Sequence, residues 1–322
     1  MKTGVYFDLR NPLPWRQDSS RIYGFTLEMC EEAERQGASS VWLSEHHLFS
    51  DGYLPQPLTF AAAIAARTSR LRIGTAIMLA PLRTVAHVAE EAAVVDLISD
   101  GRLELGLGAG YRLPEFELYG ADMKRRYAAT DACARELRAI WAEGKVTPAP
   151  VQERLPIWMG YMGPKSARRA GLLGEGLLSL APSLYQPYLA GLAEAGHDPS
   201  AARMAGAIQG WISEAPEGDW AVVSQHLKYQ LESYREGMVE GLGRDKPRPI
   251  DPERIRARGL GDTLNGFLLA SPEQAARQIR EYLGDIPVET IFIFASLANT
   301  PEEMTARHVQ AICKLGRLLD EG

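Results

Sequence analysis

Short β-rich runs alternate with longer amphipathic stretches along the whole chain. In the first half this pattern predicts strands over 3–7, 40–44, 71–79 and 102–108, and helices over 20–36, 59–68 and 85–98. In the second half it predicts strands over 156–160, 176–180, 203–213 and 289–294, and helices over 128–143, 164–173, 185–195, 271–283 and 301–320. Such alternation is typical of a parallel sheet whose strands are joined by crossover helices.

Eight strands, each followed by a helix, predict an α/β fold of the TIM-like (β/α)8 barrel type. The alternative is an open doubly wound sheet, but its GxGxxG turn is absent after the first strand, where FDLRNP stands at 7–12. We therefore expect one barrel domain over 1–322. The charged segment 217–262 combines a helix-like run at 220–234 with a part rich in Gly, Arg and Pro. It offers few apolar anchors, and we expect it to be a surface insertion or lid before the last βα unit.

Composition limits the partners of the protein. A hydrophobic content of 46% excludes a disordered chain, and a net charge of -6 argues against nucleic acid as a partner. The three cysteines are widely spaced without a CxxC pair, so we expect buried thiols rather than disulfides or a zinc site. The N-terminus does not look like a signal peptide, and no apolar run is long enough to span a bilayer. We expect a cytoplasmic enzyme with a small-molecule substrate and no membrane contact.

Glu45, His46 and His47 follow the second predicted strand directly. Active sites of βα barrels lie at the carboxyl ends of the strands, and a histidine there can transfer protons near neutral pH. The alternative is that one histidine caps a helix or fills a gap in the core. Adjacent histidines on one strand do not readily chelate a metal ion, so we expect no metal.

Three further segments rich in small residues follow strand ends. They are GTAIMLAP at 74–81, LGLGAGY at 105–111 and GYMGPKSA at 160–167. The first two leave room for a flat ligand, and the third leads into a helix whose N-terminus favours an anion. Taken singly, each is equally compatible with a buried strand, a tight bend or an ordinary turn.

The order and spacing of these segments resemble those of the bacterial luciferase-like flavin-dependent oxidoreductases. The resemblance covers nearly the whole chain and includes SPEQAARQIREYLGDIPVETIFI at 271–293. It implies a two-component monooxygenase that uses reduced FMN and oxygen on a small apolar or cyclic organic substrate. The alternatives are an F420-dependent hydride-transferring enzyme on the same fold and, less favoured, a non-catalytic flavin-binding paralogue. EHH at 45–47 resembles the FMN-using branch more closely.

The resemblance also implies roles for individual residues. His46 takes the place of the catalytic histidine, expected to act on a flavin–oxygen adduct or as a general base on the substrate, with Glu45 and His47 in support. The bond between Ala76 and Ile77 takes the place of a non-proline cis peptide behind the flavin ring. The residues expected to bind the cofactor are Ala76, Ile77, Gly108, Ala109, Gly110, Gly160, Met162, Gly163 and Ser166.

One departure concerns the cofactor phosphate. Several family members carry an arginine where this chain has Ala109, and Lys165, Arg112 or Arg168 is available as a substitute. For an F420 tail, the basic residues at hand are Arg112, Lys124, Arg125 and Arg126.

The substrate pocket is expected to be formed by Phe7, Asp8, Tyr53 and Tyr111. The resemblance further implies a homodimer, for which the small-residue helix at 60–66 offers close packing, and a separate flavin reductase as partner. The alternative for that helix is packing on its own barrel.

Overall fold

The strands of the chain form a closed parallel barrel. The structure is a computed structural model that describes residues 1–261 and 266–321. Its strands are β1 (Lys2–Phe7), β2 (Ser40–Leu43), β3 (Arg72–Thr75), β4 (Met78–Leu79), β5 (Leu103–Gly108), β6 (Ile157–Met159), β7 (Gly176–Leu178), β8 (Met204–Ile208), β9 (Gly210–Ile212), β10 (Leu268–Ala270) and β11 (Val288–Phe294). Nine of them pair in the order β3-β2-β1-β11-β8-β7-β6-β5-β4, and a β3–β5 pairing closes the ring. Since β3 and β4 share one position, the predicted eight-stranded barrel is confirmed.

Helices cover the outside of the barrel. They are α1 (Ser19–Arg35), α2 (Pro57–Arg67), α3 (Val85–Ser99), α4 (Leu113–Tyr119), α5 (Arg126–Ala142), α6 (Pro164–Leu173), α7 (Tyr185–Glu194), α8 (Pro216–Gly237), α9 (Pro252–Arg256), α10 (Pro272–Leu283) and α11 (Glu302–Asp320). The predicted cap of α10 is confirmed, because Ser271 and Gln274 form a reciprocal capping box and Pro272 opens the helix. The short helices α4 and α9 were not predicted.

Side chains along each strand alternate between two cores. Val5 and Phe7 of β1 face outward and belong to the large core between the barrel and its helices. Tyr6 faces inward, into a second core inside the barrel, with Trp42, Trp158, Ala205, Phe292 and Phe294. Because side chains alternate inward and outward along a strand, residues beyond a strand end that continue the inward positions face the barrel mouth.

Two predicted strands are interrupted, which corrects the sequence analysis. The run 71–79 divides into β3 and β4 on either side of Ala76 and Ile77. The run 203–213 divides into β8, which stays in the barrel, and β9, which pairs with β10 in a separate two-stranded sheet. Both breaks lie at the carboxyl end of the barrel, where the backbone leaves the regular ladder.

The start of the predicted insertion 217–262 is well anchored, contrary to the expectation of few apolar contacts. It forms most of α8, whose buried side chains include Trp220, Val223, Leu227, Leu231 and Tyr234. They repeat at helical spacing within a charged stretch, so the apolar face is hidden when composition alone is considered. Residue 262 of the predicted insertion and residue 322 of the predicted domain lie outside the described residues.

The three cysteines are free and buried, as predicted, in α1, α5 and α11. Across residues 1–261 and 266–321 no helix is both long and apolar enough to cross a membrane.

Candidate active site

Two adjacent histidines follow β2, and their rings are held in opposite ways. His46 Nδ1 lies 2.9 Å from Glu115 Oε1, and its Nε2 lies 3.3 Å from the hydroxyl of Tyr111. His47 instead places Nε2 at 2.8 Å from Glu45 Oε1. Because an ionised carboxylate only accepts hydrogen bonds, His46 carries its proton on Nδ1 and His47 on Nε2. The basic nitrogen of His46 is therefore the one beside Tyr111.

Glu45 and His47 connect the end of β2 to its neighbours. Glu45 accepts hydrogen bonds from the backbone N–H of Leu79 and from the side chain of Arg83, each at 3.0 Å. The second ring nitrogen of His47, Nδ1, lies 3.1 Å from the hydroxyl of Tyr119 in α4. Both nitrogens of His47 are thus occupied by protein groups, which suits a supporting position.

Glu115 is a functional candidate that the sequence reasoning missed. It is fully buried in α4 and accepts hydrogen bonds from His46 Nδ1 and, at 2.8 Å, from the backbone N–H of His47. It lies 69 residues from His46 along the chain. Its sequence context, Pro-Glu in a first helical turn, looks like ordinary helix initiation. Only the closure of the barrel, which pairs β3 with β5, brings the two residues together.

The Ala76–Ile77 peptide bond is cis, as the resemblance implied. The hydroxyl of Tyr6, inside the barrel, donates a hydrogen bond of 2.6 Å to the carbonyl oxygen of Ala76. Burial, the largest cause, raises the pKa of this hydroxyl well above its usual value, so it remains a donor. The inner core thereby supports the break between β3 and β4.

Gly108, the last residue of β5, and Gly160, the residue after β6, make room for Ile77. A Cβ on Gly108 would lie 2.2 Å from Ile77 Cδ1, and a Cβ on Gly160 would lie 2.2 Å from Ile77 Cγ2. The sequence reasoning expected these glycines to clear space for something else, and part of that space holds the Ile77 side chain. We call Ala76, Gly108 and Gly160 the glycine arc; they occupy inward positions at the carboxyl ends of three barrel strands that are consecutive in the strand order, β3, β5 and β6.

The loop before α6 is the region predicted to hold the cofactor phosphate. Gly163 caps the helix with a φ of 85°, a conformation that favours glycine. Ser166 lies in the first turn, and Met162 is exposed to 70%. Ala109 and Gly110 follow β5, which is the barrel neighbour of β6.

Two of the three proposed substitutes for the missing arginine have other partners. Arg112 bonds the carbonyl oxygens of His47 and Leu48 and forms an ion pair of 2.5 Å with Glu240. Arg168 forms an ion pair with Glu194 on the outside of the barrel. Lys165 remains, exposed in the first turn of α6.

Opposite the glycine arc, the barrel mouth carries buried polar side chains. Asp8 is two residues beyond the inward-facing Tyr6, and Gln209 is two residues beyond the inward-facing Ala207. We call Asp8 and Gln209 the polar arc. In the strand order they flank β11, directly across the barrel from β5. Burial, the largest cause, raises the pKa of Asp8 to about 7 although Arg10 opposes the shift.

Above the polar arc lies a buried cation in an aromatic surround. Arg10 forms an ion pair of 2.6 Å with Asp51 and donates a 2.5 Å hydrogen bond to Ser233 of α8. Its guanidinium lies 5.2–5.4 Å from the ring centres of four aromatic residues, Phe49, Tyr53, Tyr229 and Tyr234. These contacts tie β1, the loop after β2 and α8 into one unit.

The predicted pocket residues do not all lie together. The rings of Tyr53 and Tyr111 lie 4.8 and 5.2 Å from that of His46. Phe7 faces outward from β1 and packs between the barrel and its helices, away from the mouth. We therefore leave Phe7 out of the proposed pocket.

A groove of about 650 Å³ opens beside this site, between the loop after β2 and the end of α8. Phe49 forms part of its wall, and its ring lies 5.0 Å from that of His46. Tyr229 and Ser233, which contact Arg10, also line it. The groove therefore ends close to the histidine and the buried arginine. Within the described residues, no group of three or more His, Cys, Asp or Glu side chains is placed to hold a metal ion.

Comparison with known proteins identifies the family. Residues 1–288 match the family described as luciferase-like monooxygenase, and the chain belongs to it. One relative is the oxygenase component of a flavin-dependent trigonelline monooxygenase from Acinetobacter baylyi, 30% identical over 168 residues, or 47% of this chain and 46% of that protein. Another is the F420-dependent glucose-6-phosphate dehydrogenase of Amycolatopsis mediterranei, 30% identical over 172 residues, or 47% and 52% of the two chains.

The chain spans about half the length of the curated relatives it matches. Among solved structures, the monooxygenase RslO1 from Streptomyces bottropensis superposes with a TM-score of 0.77 at 23% identity, covering 97% of this chain and 98% of that one. This likeness concerns the fold. The family contains both flavin-dependent monooxygenases and F420-dependent dehydrogenases, so membership leaves the choice between FMN and F420 open.

Proposed function

We propose that the chain is the oxygenase of a two-component monooxygenase that takes reduced FMN and acts on a small apolar or cyclic organic substrate. The observation that carries this proposal is the placement of His46. Its basic nitrogen faces the barrel mouth beside Tyr111, and Glu115 holds the opposite nitrogen. His46 lies after β2, between the strands of the two arcs.

The residues of the glycine arc fit a flat ring. Ala76, Gly108 and Gly160 carry no side chain larger than a methyl group, and the half-buried Ile77 rests on the two glycines. A planar ligand can therefore lie against Ile77, which the two glycines allow to sit low on the barrel mouth. The backbone N–H groups of Gly163 and Lys165 suit the phosphate at the other end of such a ligand, with the side chains of Ser166 and Lys165 nearby.

Bound reduced flavin supplies two electrons, so that one atom of O2 enters the substrate and the other, with two protons, leaves as water. His46 Nε2 accepts or returns a proton at the mouth, and Tyr111 positions it through its hydroxyl. Glu45 and His47 keep the end of β2 in place. Asp8, Tyr53 and the groove beside α8 form the substrate side.

The test is oxygen incorporation. The protein, supplied with FMN, NADH and a flavin reductase, is incubated under ¹⁸O₂ with cyclic ketones, aldehydes and heteroaromatic compounds. We expect a product that carries one ¹⁸O atom. Consumption of reduced FMN with no labelled product from any compound contradicts the monooxygenase proposal.

F420-dependent hydride transfer is the second candidate function. Lys124 and Arg125 are exposed at the start of α5, where they suit an anionic tail, and several relatives are F420-dependent. Titration with oxidised F420, followed by its fluorescence, separates the candidates. Saturable quenching at micromolar protein favours hydride transfer, and its absence favours FMN. Binding of either cofactor without turnover favours the non-catalytic paralogue.

The homodimer, the reductase partner and the cytoplasmic location remain predictions. Ala61, Ile64 and Ala65 of the small-residue helix are buried within their own chain. The neighbouring α3 exposes Val94 and Leu97 to 44% and 42%. Sedimentation equilibrium tests the dimer, which predicts twice the chain mass of 35.4 kDa.

A further inference from the structure

Unpaired polar atoms occur at the barrel mouth, near a buried amide of α8. Asp8 Oδ2 and both amide atoms of Gln209 are buried without a hydrogen-bond partner, and the buried amide of Gln230 lies within reach of Tyr234. The three residues are exposed to only 1%, 3% and 0%. Each unpaired buried group costs on the order of 1–3 kcal/mol, so such a concentration calls for a partner that completes it.

These three side chains border one region. Asp8 and Gln209 are the polar arc of the barrel mouth, and Gln230 lies on the buried face of α8, one turn before Tyr234. Tyr234 connects that face to the site, because its hydroxyl lies 2.6 Å from that of Tyr53. Burial, the largest cause, raises the pKa values of both tyrosines, and the charge of Asp8 adds to both shifts.

The groove lies beside this region. It runs along the last turns of α8, and its wall includes Tyr229 and Ser233, the residues on either side of the turn that bears Gln230. Its volume of about 650 Å³ lies within the range of small-molecule pockets. A second cavity, of about 20 Å³, borders Asp8 between β1 and α1 and has room for about one water.

We propose that the polar arc and Gln230 form the recognition site for a substrate that carries both a hydrogen-bond donor and an acceptor, such as a hydroxy-ketone or a cyclic N–H compound. The donor bonds Asp8 Oδ2, and the acceptor bonds the amide of Gln209 or Gln230. The inference rests on the proposed function, since it deepens the substrate side of that site. It narrows the substrate from apolar ring compounds in general to those with a polar edge.

Matched ligand pairs test the inference without turnover. The full chain is titrated with 4-hydroxycyclohexanone and cyclohexanone, and with indole and 1-benzofuran, by ligand-detected NMR. We expect the member with the donor to bind wild type about fivefold more tightly or better, as one hydrogen bond allows. Asp8→Leu removes this preference because it leaves no acceptor, while the exposed Asp285→Leu at the opposite end of the barrel keeps it.

Gln230→Leu gives a second, independent readout. It removes the buried amide that the substrate's acceptor would bond, so we expect weaker binding of both donor-bearing probes. Three results overturn the inference: no probe binds, the preference survives in Asp8→Leu, or Gln230→Leu binds unchanged. The last result means that bound water alone satisfies these groups. Absence of ¹⁸O incorporation, by contrast, contradicts the proposed function and does not affect these binding results.

Discussion

The two sides of the barrel mouth differ in what their inward positions carry. At the ends of β3, β5 and β6, the residues of the glycine arc carry no side chain larger than a methyl group, and Ile77 rests on the two glycines. Across the barrel, beside β11, the polar arc offers a carboxyl and an amide that are buried without full hydrogen bonding. One side is shaped for a flat surface and the other for polar recognition. His46 lies after β2, between the glycine arc and the polar arc, and can therefore contact a ligand bound at either arc.

His46→Ala has the largest expected effect, because it removes the group that we propose to transfer protons between the arcs. We expect kcat to fall by about 10²–10⁴-fold, the usual contribution of a positioned acid or base. Steady-state turnover with reduced FMN measures this. His87→Ala, at a histidine bonded to Thr84 in the first turn of α3, is the control and keeps full activity. Unchanged kcat in His46→Ala removes His46 from the mechanism.

Asp8→Asn tests the polar arc through stability. Since burial raises the folded-state pKa of Asp8 to about 7 from 3.8, the folded protein binds this proton more tightly than the unfolded chain does. Wild type therefore loses stability as pH rises from about 4 to 7, by up to about 4 kcal/mol, and does not regain it above pH 7. Asp8→Asn should match wild type at pH 4 and exceed it at pH 8.

Urea unfolding at the two pH values measures this difference, with Asp285→Asn as the exposed control. Equal stability increments at pH 4 and pH 8 in Asp8→Asn would show that the carboxyl is ionised normally. The carboxyl of Asp8 in the polar arc would then be solvated and not desolvated by burial.

Gly160→Ala tests the glycine arc. The new Cβ meets Ile77 Cγ2 at 2.2 Å, so Ile77 must move, and we expect a loss of about 1–3 kcal/mol in unfolding free energy together with weaker flavin binding. Gly24→Ala in α1 is the matched control, because a Cβ there has no neighbour within 4 Å. It should gain roughly 0.5–1 kcal/mol. Equal behaviour of the two variants contradicts the role given to the arc.

Tyr53→Phe has the smallest expected effect. It deletes the hydroxyl pair with Tyr234, at a cost of about 1 kcal/mol, and leaves the ring beside His46. Tyr23→Phe, which retains its edge-on contact with Phe60, serves as control and should be near neutral. Thermal unfolding of both variants provides the comparison. If Tyr23→Phe lowers the melting temperature more than Tyr53→Phe does, the hydroxyl pair does not stabilise the barrel mouth.

The sequence predicted most of the barrel because its signals are local. Periodicity within each strand and helix is visible without knowledge of distant contacts, and the position of the cis bond followed from the resemblance. Two breaks were missed because the apolar runs 71–79 and 203–213 continue through them. β10 has only three residues, too few for a periodic signal.

The site was predicted in part for the same reason. EHH at 45–47 is visible in the sequence because it directly follows a predicted strand, whereas Glu115 and Arg10 contact partners that are far away along the chain. The ion pair between Arg10 and Asp51 and the contact with Ser233 span β1, the loop after β2 and α8. Such contacts exist only once the barrel has closed, and a single sequence carries no local pattern for them.

The most direct test of the account is an anaerobic titration of wild type and Gly160→Ala with reduced FMN, followed by tryptophan fluorescence. The account predicts saturable binding by wild type in the micromolar range and clearly weaker binding by Gly160→Ala, with Gly24→Ala like wild type. Equal affinity in all three proteins, or no binding of either reduced FMN or F420 by wild type, would contradict the placement of the cofactor on the glycine arc.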